Sequence, residues 1–514
     1  MKAKLMALVM LLSAIFSKAQ NTIDKTILYN NTVAKAIQNA SQQNADVVNL
    51  NSNTKKGNTI NSFLPDADDD GMPDTWETLY GLDPNDATDA WGDIDSDNVL
   101  NLFEYQLGSV ANDPASPVTI DVNAGGNIAT AIDNANAGEL IRVETGTYNL
   151  NYQGFTPKTV MIQGGWNNTF TSHNPYTTPS ILNGKSTAEI FYFECSGDTV
   201  NIVFDGLQLI NGGGFFGAVA FICDNGATAN LCMKDVTIAQ TKAKSAFTGC
   251  VTITHWKGSI SDVRIANLLI ANCRNSGIYN QTTYGSNAKW NVVNSTITNI
   301  IDTASADCYG IKGLSLDSTI NTNIQINVKN AIIRDNSDAA IYFTNGGSSL
   351  GSSAAASYCD FDTVVFINGV VYTPGAGMID ANPQFVNPTA DFHLTALSPC
   401  IDAGINVGLP FVGAAPDMGI FEYGTVGIES VNHSSSLINI YPNPVANILF
   451  IDGVFMTDKN AIHINDVLGN VVCEWNNINT STPSLDVSKL SKGIYFITIE
   501  NENGLSVMRV MKTD

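Results

Sequence analysis

Two short acidic stretches carry oxygen-bearing side chains at a spacing that suits a hard cation. They span 66–77 and 93–104, and each is 12 residues long. In calcium loops of this length, oxygen ligands occupy positions 1, 3, 5, 9 and 12, and a backbone carbonyl occupies position 7. These positions hold Asp66, Asp68, Asp70, Met72, Asp74 and Glu77 in the first loop, and Asp93, Asp95, Asp97, Val99, Asn101 and Glu104 in the second. Because so many carboxylates repel one another without a cation, the sequence predicts two Ca2+ sites.

Position 6 of each loop must turn sharply. Gly71 supplies that turn in the first loop, and Asn98, which tolerates positive φ, replaces glycine in the second. The alternative is two solvated acidic turns, but the repeated spacing favours calcium. With the segments WETLYGLDPND and LFEYQLG, the region 63–108 resembles thrombospondin type 3 repeats and dockerin-type loops of bacterial surface proteins. The resemblance implies a spacer stiffened by calcium, and not a calcium sensor.

A longer region, 118–424, alternates short β-rich runs with turns of Gly, Asn, Ser and Asp. One pattern recurs, in which a polar residue opens a run of alternating β-formers. The recurring runs are 204–211, 234–240, 266–272, 293–299 and 329–335, with 359–366 as a candidate sixth copy. Their opening polar residues are Asp205, Asp235, Asn267, Asn294, Asn330 and Asp360. Asn and Asp at such turns can stack in ladders and accept left-handed backbone.

A second series of strands lies between these copies. A small opener is followed by an apolar residue that should point inward, and the next residue should point outward. The inward set is Ala218, Cys250, Ile278, Ile311 and Ile341, and the outward set is Val219, Val251, Tyr279, Lys312 and Tyr342. Two strands in each period of about 30 residues describe one turn of a β-solenoid. Residues 127–143 are predicted to form a helix that caps its open edge.

This region resembles right-handed parallel β-helices of the pectate-lyase-like kind, and 391–404 with 416–423 resembles their closing motif. The predicted fold class is therefore mainly β: a right-handed parallel β-helix, preceded by the calcium-loop module and followed by a small β-sandwich. The resemblance leaves the activity open, because lyases, glycosidases, esterases and adhesins share this fold.

Three outward residues, Tyr279, Lys312 and Tyr342, would stack on neighbouring coils as a platform for sugar rings. His255 and Trp256 lie further along the same series of strands and are added to the candidate ligand-binding set. Ordinary half-exposed strand residues are the alternative interpretation. If the face is catalytic, Lys312 and Tyr279 are the candidate residues of a lyase. No recurring carboxylate pair, Ser-His-Asp pattern or zinc-ligand cluster is evident, so binding to polysaccharide or adhesion is favoured over lyase or hydrolase activity.

Both ends of the chain carry export signals. Residues 1–19 are predicted to be a signal peptide with Lys2 and Lys4 before an apolar run, and 20–62 is read as a polar spacer. After a linker at 425–436, the region 437–514 contains the segments INIYPNPVANILFI, INDVLGNVV and LDVSKLSKGIYFITIENENG. It resembles the type A C-terminal sorting domain of the type IX secretion system of Bacteroidetes. The resemblance implies that the secretion machinery is a partner and that the protein reaches the outer cell surface or the medium of a Gram-negative cell.

The charge balance limits the other partners. The 514 residues include 25 Lys and Arg against 48 Asp and Glu, a formal net charge of −23. A nucleic-acid binder needs a basic face to neutralise phosphates, and the sequence has none. Beyond the signal peptide, no stretch reaches the roughly 18 apolar residues of a transmembrane helix. The nine scattered cysteines are expected to be mostly small buried hydrophobic residues.

Overall fold

A computed structural model describes the chain over thirteen ranges: 65–155, 157–245, 248–301, 308–316, 322–345, 352–367, 370–424, 439–441, 445–452, 461–465, 471–476, 484–501 and 504–513. The chain divides into two compact units, Met1–Thr425 and Val426–Asp514. The predicted signal peptide (1–19), spacer (20–62) and linker (425–436) lie outside the described residues.

Within the described ranges, the helices are short and lie near the start of the first unit. They are α1 Asp74–Tyr80, a 3-10 helix Asp89–Trp91, α2 Asn101–Leu107 and α3 Ile128–Asn134. Helices α1 and α2 both end at a glycine in left-handed conformation. Helix α3 is shorter than the predicted 127–143, because the chain turns at Ala135 and continues as a strand from Glu139. Asn127 caps α3 by accepting a hydrogen bond from the Thr130 amide.

Two long parallel sheets build most of the first unit, which makes it mainly β and compatible with a parallel β-helix. Sheet 1 has 16 strands: β1 Thr119–Val122, β2 Glu139–Glu144, β3 Gly146–Asn149, β5 Val160–Trp166, β6 Ser180–Asn183, β8 Thr199–Asp205, β9 Leu207–Ile210, β11 Thr228–Ala239, β13 Ile260–Cys273, β15 Asn287–Val293, β16 Thr296–Ile300, β18 Asn323–Lys329, β19 Ile332–Arg334, β21 Ser353–Ser357, β22 Asp360–Phe361 and β24 Val371–Pro374. Sheet 2 has eight: β4 Tyr152–Gly154, β7 Phe191–Ser196, β10 Val219–Asp224, β12 Gly249–His255, β14 Ser276–Thr282, β17 Tyr309–Ser315, β20 Ala339–Asn345 and β23 Val364–Ile367.

Successive coils of sheet 1 bend at one shared position, where the backbone has positive φ. Asp235, Asn267, Asn294 and Asn330 occupy this bend with φ of 52°, 49°, 44° and 51°. Two neighbouring pairs of these side chains make the hydrogen bond that the predicted ladder requires: Asn267 Nδ2 donates to Asp235 Oδ1 at 2.8 Å and Asn330 Nδ2 donates to Asn294 Oδ1 at 2.9 Å. Asn and Asp are the residues other than glycine that best accept this conformation.

Two of the predicted repeat openers do not occupy the bend. Asp205 pairs with Lys234, one residue before the bend, and Asp360 pairs with Ile332, two residues after it. In the coil of Asp205, the bend falls on Gly206 with φ of 64°. Both predictions were wrong for the same reason: the sequence alone does not distinguish a polar residue at the bend from a polar residue next to the bend.

The register of sheet 2 corrects the predicted columns in two coils. Val219 pairs with Val251, Val251 with Ile278, and Ile278 with Ile311, and all of them lie in the apolar interior. The prediction placed Val219 and Val251 on the outer face, one residue out of register. The opening glycines of these coils come one position earlier than those of the later coils, and the apolar residues around them do not alternate with polar ones.

The interior between the sheets is apolar and aromatic. Phe191 and Phe204 have ring centroids 4.7 Å apart, and those of Phe193 and Phe221 are 4.8 Å apart. No disulfide joins the nine cysteines and eight of them are buried, as expected for residues that act as small hydrophobic side chains. An antiparallel pair, β25 Phe385–Asn387 and β26 Asp391–Leu394, follows the coils. It packs on sheet 1 in a cluster that includes Leu269 and Ile332.

The acidic region at 65–108 packs on the outer face of sheet 1. Its buried residues Met72, Val99, Leu102, Phe103 and Leu107 share an apolar cluster with four residues from the strands of sheet 1: Leu140, Met161, Val203 and Cys232. The region is therefore docked on the sheet, because its helices bury apolar side chains against it.

The second unit consists of two antiparallel sheets around one apolar cluster. The first contains β27 Asn439–Tyr441, β28 Ile448–Asp452 and β31 Ser484–Asp486, and the second contains β29 Ala461–Asn465, β30 Val471–Asn476, β32 Gly493–Asn501 and β33 Gly504–Lys512. Leu449, Ile462, Ile497 and Val510 are among the buried residues of the cluster. Two antiparallel sheets that share a core are what a small β-sandwich requires.

Candidate functional site

The first acidic loop is folded by its own carboxylates. Asp66 accepts hydrogen bonds from the amides of Asp70 (3.2 Å) and Gly71 (3.1 Å). Asp70 accepts from the amide of Met72 at 2.7 Å. Gly71 has φ of 103°, so the sharp turn expected at position 6 is present. Asp66 uses both of its carboxylate oxygens in these bonds, whereas Asp70 uses Oδ1 and leaves its buried Oδ2 without a partner.

The second loop repeats this arrangement. Asp93 Oδ2 accepts from the amide of Asn98 at 2.9 Å, and Asp97 Oδ1 accepts from the amide of Val99 at 2.7 Å. Asn98 has φ of 74° and takes the left-handed conformation that Gly71 takes in the first loop. The two loops therefore share a backbone path that depends on residues within each loop.

The carboxylate oxygens of each loop converge. Asp66, Asp68 and Asp70 each place one oxygen within 4.8 Å of the others, and Asp93, Asp95 and Asp97 do the same. Glu77 and Glu104, at position 12, are fully buried. The buried carboxylate oxygens without a hydrogen-bond partner include Asp68 Oδ2, Asp70 Oδ2, both oxygens of Glu77, Asp95 Oδ2 and Glu104 Oε2.

Buried oxygens without partners are costly, because their hydration is lost and nothing replaces it. Burial, followed by neighbouring carboxylates, raises the pKa of Glu77 and of Glu104 to about 8. Burial likewise raises the pKa of Asp70 to about 7. A hard divalent cation would satisfy these oxygens and favour their ionised forms. The residues therefore fit a calcium ion in each loop.

The other predicted ligand positions have a second role in the loop. Position 9 binds the loop backbone: Asp74 Oδ1 accepts from the amide of Ala67 at 2.8 Å, and Asn101 Oδ1 accepts from the amide of Ile94 at 3.2 Å. At position 7, the side chains of Met72 and Val99 are fully buried in the apolar cluster that joins the module to sheet 1. Burial of these two side chains anchors each loop at its middle.

Polar contacts fix both loops to sheet 1. Arg264 donates to the backbone oxygen of Asp69 at 3.0 Å and to Asp262 at 2.9 Å, and Lys289 pairs with the Asp69 carboxylate. At the second loop, Gln163 Nε2 donates to the backbone oxygen of Asn98 at 2.8 Å. A little further on, the Asn201 side chain donates to the backbone oxygen of Gln106 at 2.6 Å, which ties down α2.

The outer face of sheet 2 brings the three platform residues together. Tyr279 pairs with Lys312, and Lys312 pairs with Tyr342, on successive coils. Lys312 Nζ lies 5.7 Å from the ring centroid of Tyr279 and 5.9 Å from that of Tyr342. A third ring, Tyr309, lies 5.4 Å from the amine and stacks on Tyr342 at 4.7 Å. Sequence reasoning missed Tyr309 because it lies before Gly310, the small residue that opens this strand, and so outside the predicted outward positions.

This group is more enclosed than a sugar platform would be. Tyr279 is 1% exposed, Lys312 is 3% exposed, and Tyr342 is half-buried. The amine is therefore held among aromatic rings, where cation–π attraction stabilises it. In this arrangement Tyr342 has the greatest accessibility of the three.

His255 and Trp256 do not join the group. His255 pairs with Thr282, is fully buried, and lies 2.7 Å from Ser261 Oγ through its Nε2. Burial lowers the pKa of His255 to about 4, so the ring is neutral at physiological pH. Trp256 is half-buried beyond the end of its strand, with its ring centroid 6.5 Å from that of Tyr284.

A second aromatic group occupies the first coils of the same face. The ring centroid of Tyr192 lies 6.0 Å from that of Phe155 and 5.8 Å from that of Phe216. Phe155 is 55% exposed, and Tyr192 and Phe216 are half-buried. Sequence reasoning missed this group because its members come from three separate coils, although Tyr192 continues the column that contains Lys312.

Comparison with known proteins bears on the second unit. A family model described as the secretion system C-terminal sorting domain matches residues 439–513. The chain carries a type IX secretion sorting domain. The domain directs the protein to the cell surface or the extracellular space. A search of curated proteins gave no match. None of the helices within the described ranges has the length and apolar character needed to cross a bilayer.

Proposed function

We propose that the protein is an exported β-helix that binds an extracellular polysaccharide on the outer face of sheet 2, with two calcium ions stabilising its N-terminal module. The observation that carries the binding proposal is the aromatic group of Phe155, Tyr192 and Phe216. Tyr192 lies on β7, whereas Phe155 follows the end of β4 and Phe216 lies in the turn before β10. Partly exposed aromatic rings on and beside a rigid sheet present flat apolar surface at little entropic cost, and such surfaces suit the apolar faces of sugar rings. The sorting domain places this face where extracellular polymers occur.

The Lys312 group extends the proposed surface along the same face. Tyr342 would offer its exposed side to the polymer, and Lys312 would hold the rings of Tyr279, Tyr309 and Tyr342 in place. The formal charge of −23 disfavours strongly anionic polymers at low salt. A neutral or weakly acidic polysaccharide is therefore the ligand class proposed.

The test is retention of the chain from residue 20 to residue 514 on a panel of immobilised neutral and acidic polysaccharides, with calcium present. Phe155→Ala should weaken retention by about tenfold, which is the contribution expected from one well-placed ring. Tyr423→Ala is a matched control, because Tyr423 is an aromatic residue of similar accessibility (41% exposed) in the segment that closes the coils. The proposal is rejected if no polymer retains the protein, or if Phe155→Ala is retained as well as the parent chain.

The same panel separates binding from catalysis. New reducing ends or unsaturated uronates would assign polysaccharide cleavage instead, and Lys312→Ala and Tyr279→Phe would then be the first variants to assay. Binding is favoured because Lys312 is enclosed by rings, whereas a general base must reach its substrate.

Calcium binding in the two loops is the second part of the proposal, and the unpartnered oxygens of the buried Glu77 and Glu104 support it. Bound Ca2+ would supply positive charge and roughly six to eight coordination positions for oxygen. Calorimetric titration of chelator-treated protein should show two sites, of which Asp66→Ala and Asp93→Ala each remove one. Absence of any calcium-dependent heat, together with an unchanged melting temperature in chelator, would contradict it.

A further inference from the structure

We infer that the two calcium sites are unequal, because Asp89, which lies outside the first loop, supplies it with an additional carboxylate ligand, while Ser116 holds the corresponding place beside the second. This inference rests on the calcium binding proposed above. It concerns a residue that the spacing of a calcium loop does not include, since Asp89 lies 12 residues beyond Glu77.

The chain that follows each loop folds in the same way, with equivalent residues 27 positions apart. The amide of Leu82 donates to Glu77 O at 2.9 Å, and the amide of Ser109 donates to Glu104 O at 3.0 Å. The next turn is also repeated. The amide of Asp89 donates to Asp86 O at 3.1 Å, and the amide of Ser116 donates to Asp113 O at 2.8 Å.

The side chains of Asp89 and Ser116 are equivalent as well. Asp89 Oδ2 accepts from the amide of Asp83 at 2.9 Å, and Ser116 Oγ accepts from the amide of Val110 at 3.0 Å. Asp83 and Val110 are themselves 27 positions apart. Each side chain therefore closes the same turn, and the carboxylate of Asp89 has one oxygen more than this role requires.

That remaining oxygen, Asp89 Oδ1, is buried and has no hydrogen-bond partner. One oxygen each of Asp70, Glu77 and Asp89 lie within 4.8 Å of one another. Glu77 is fully buried with both oxygens unpartnered, so its whole carboxylate is available to a shared cation. Within the part of the chain that the structure describes, Asp97 and Glu104 form no such group with a third acidic side chain.

The consequence is a difference in charge at the two sites. Apart from position 9, which is Asp74 in the first loop and the neutral Asn101 in the second, the first site has five carboxylates, from Asp66, Asp68, Asp70, Glu77 and Asp89, and the second has four, from Asp93, Asp95, Asp97 and Glu104. Arg264 lies 3.9 Å from Asp66, but its guanidinium is bonded to Asp262 at 2.9 Å, so that pair adds little net charge. Affinity for Ca2+ rises with the number of charged ligands, so the first site should bind more tightly.

The link also reaches the second loop. The backbone oxygen of Asp89 accepts a hydrogen bond from Asn101 Nδ2 at 2.8 Å. Asn101 is fully enclosed at position 9 of the second loop, where its Oδ1 holds the amide of Ile94. A cation bound by Asp89 would therefore hold the Asp89 backbone in place and, through it, the side chain of Asn101, which binds the backbone of the second loop.

The experiment exchanges the two side chains in the chain from residue 20 to residue 514, freed of metal with a chelator and titrated with Ca2+ in a calorimeter. Glu104→Gln is used as the background that isolates the first site. In that background, Asp89→Ser should weaken binding by about tenfold or more, the cost of one charged ligand. In the reciprocal Glu77→Gln background, Ser116→Asp should strengthen binding at the second site.

Asp86→Asn is the matched control, because it removes one negative charge from the same segment at an exposed position outside the cluster. It should leave both affinities unchanged, and melting in chelator should show that every variant folds. The inference is overturned if Asp89→Ser binds Ca2+ as tightly as its background, or if the parent chain has two equal sites. Calcium binding itself would survive that result, whereas absence of any binding by the parent chain would reject the underlying proposal.

Discussion

The two acidic loops have the same length, the same ligand spacing and most of the same internal hydrogen bonds, but they have different surroundings. The first lies against two cationic side chains of sheet 1, Arg264 and Lys289. The second lies against the neutral amide of Gln163. The difference teaches that a metal loop can be specified locally, whereas its coupling to the rest of the molecule depends on residues far away in the sequence.

The largest expected effect is on the contact between the module and sheet 1. Removing calcium should free both loops and expose Cys232, which the module covers and which is 1% exposed. At a calcium concentration of about 1,000 times Kd, each site adds about 4 kcal/mol of stability that a chelator removes. Thiol labelling followed by mass spectrometry should therefore show Cys232 reacting at least about tenfold faster in chelator.

The reactivity of Cys232 has a clear physical basis and a built-in control. Burial raises the pKa of Cys232 to about 12, so the covered thiol is almost entirely protonated and unreactive. Cys223 lies inside the coils, away from the module, and its labelling should not respond to calcium. Equal labelling of Cys232 with and without calcium would show that the module stays docked when the loops are empty.

The next largest effect is on stability, and it should be larger for the charged contact of Arg264 with the module than for the neutral contact of Asn201. Arg264→Met leaves Asp262 and the backbone oxygen of Asp69 without their partner, and should lower the free energy of unfolding by about 3 kcal/mol. Asn201→Ala removes two neutral hydrogen bonds, one to Gln106 O and one from Asn230 Nδ2, and should cost about 1–2 kcal/mol. Denaturant unfolding in calcium measures both, and equal losses would remove the distinction between the two contacts.

At position 6 of the loops, glycine should be able to replace Asn98, but asparagine should not be able to replace Gly71. A Cβ at Gly71 would lie 2.3 Å from Arg264 Nε, and Arg264 is held by its bonds to Asp69 and Asp262. Gly71→Asn should therefore destabilise the protein by about 1–3 kcal/mol through overpacking. Thermal melting measures the loss, and the double variant Gly71→Asn with Arg264→Met should lose less than the sum of the two single changes.

The smallest effect is expected for the reverse exchange. Asn98 already has φ of 74°, a conformation that glycine adopts freely. Asn98→Gly should change the free energy of unfolding by no more than about 0.5 kcal/mol. A loss as large as that of Gly71→Asn in the same melting experiment would show that the asparagine side chain, and not only its backbone conformation, is needed in the second loop.

Much of the fold was predictable because the signals are local. The bend at Asn267, Asn294 and Asn330 needs left-handed backbone, and few residues besides Gly, Asn and Asp accept it. The sorting domain was recognised from ordered segments, and a family model matches the same region. The register of Val219 and Val251 was not predictable, because neighbouring residues on both sides are apolar and either alignment buries apolar side chains.

The candidate sites also have some features that the sequence predicts and others that only the structure reveals. The spacing of Asp66, Asp68 and Asp70 is set within one turn of chain, so it could be read without a structure. The position of Asp89 beside Asp70 and Glu77 depends on how the chain folds back after α1. The contact of Arg264 with Asp69 joins residues 195 positions apart, so the spacing of residues in the sequence does not reveal it. The sequence alone determined the acidic loops, the recurring coils and the export domain, because each depends on interactions between neighbours in the chain. Only the tertiary structure decided that Lys312 is enclosed by three rings and that the loops lie on sheet 1, because burial depends on which distant segments meet.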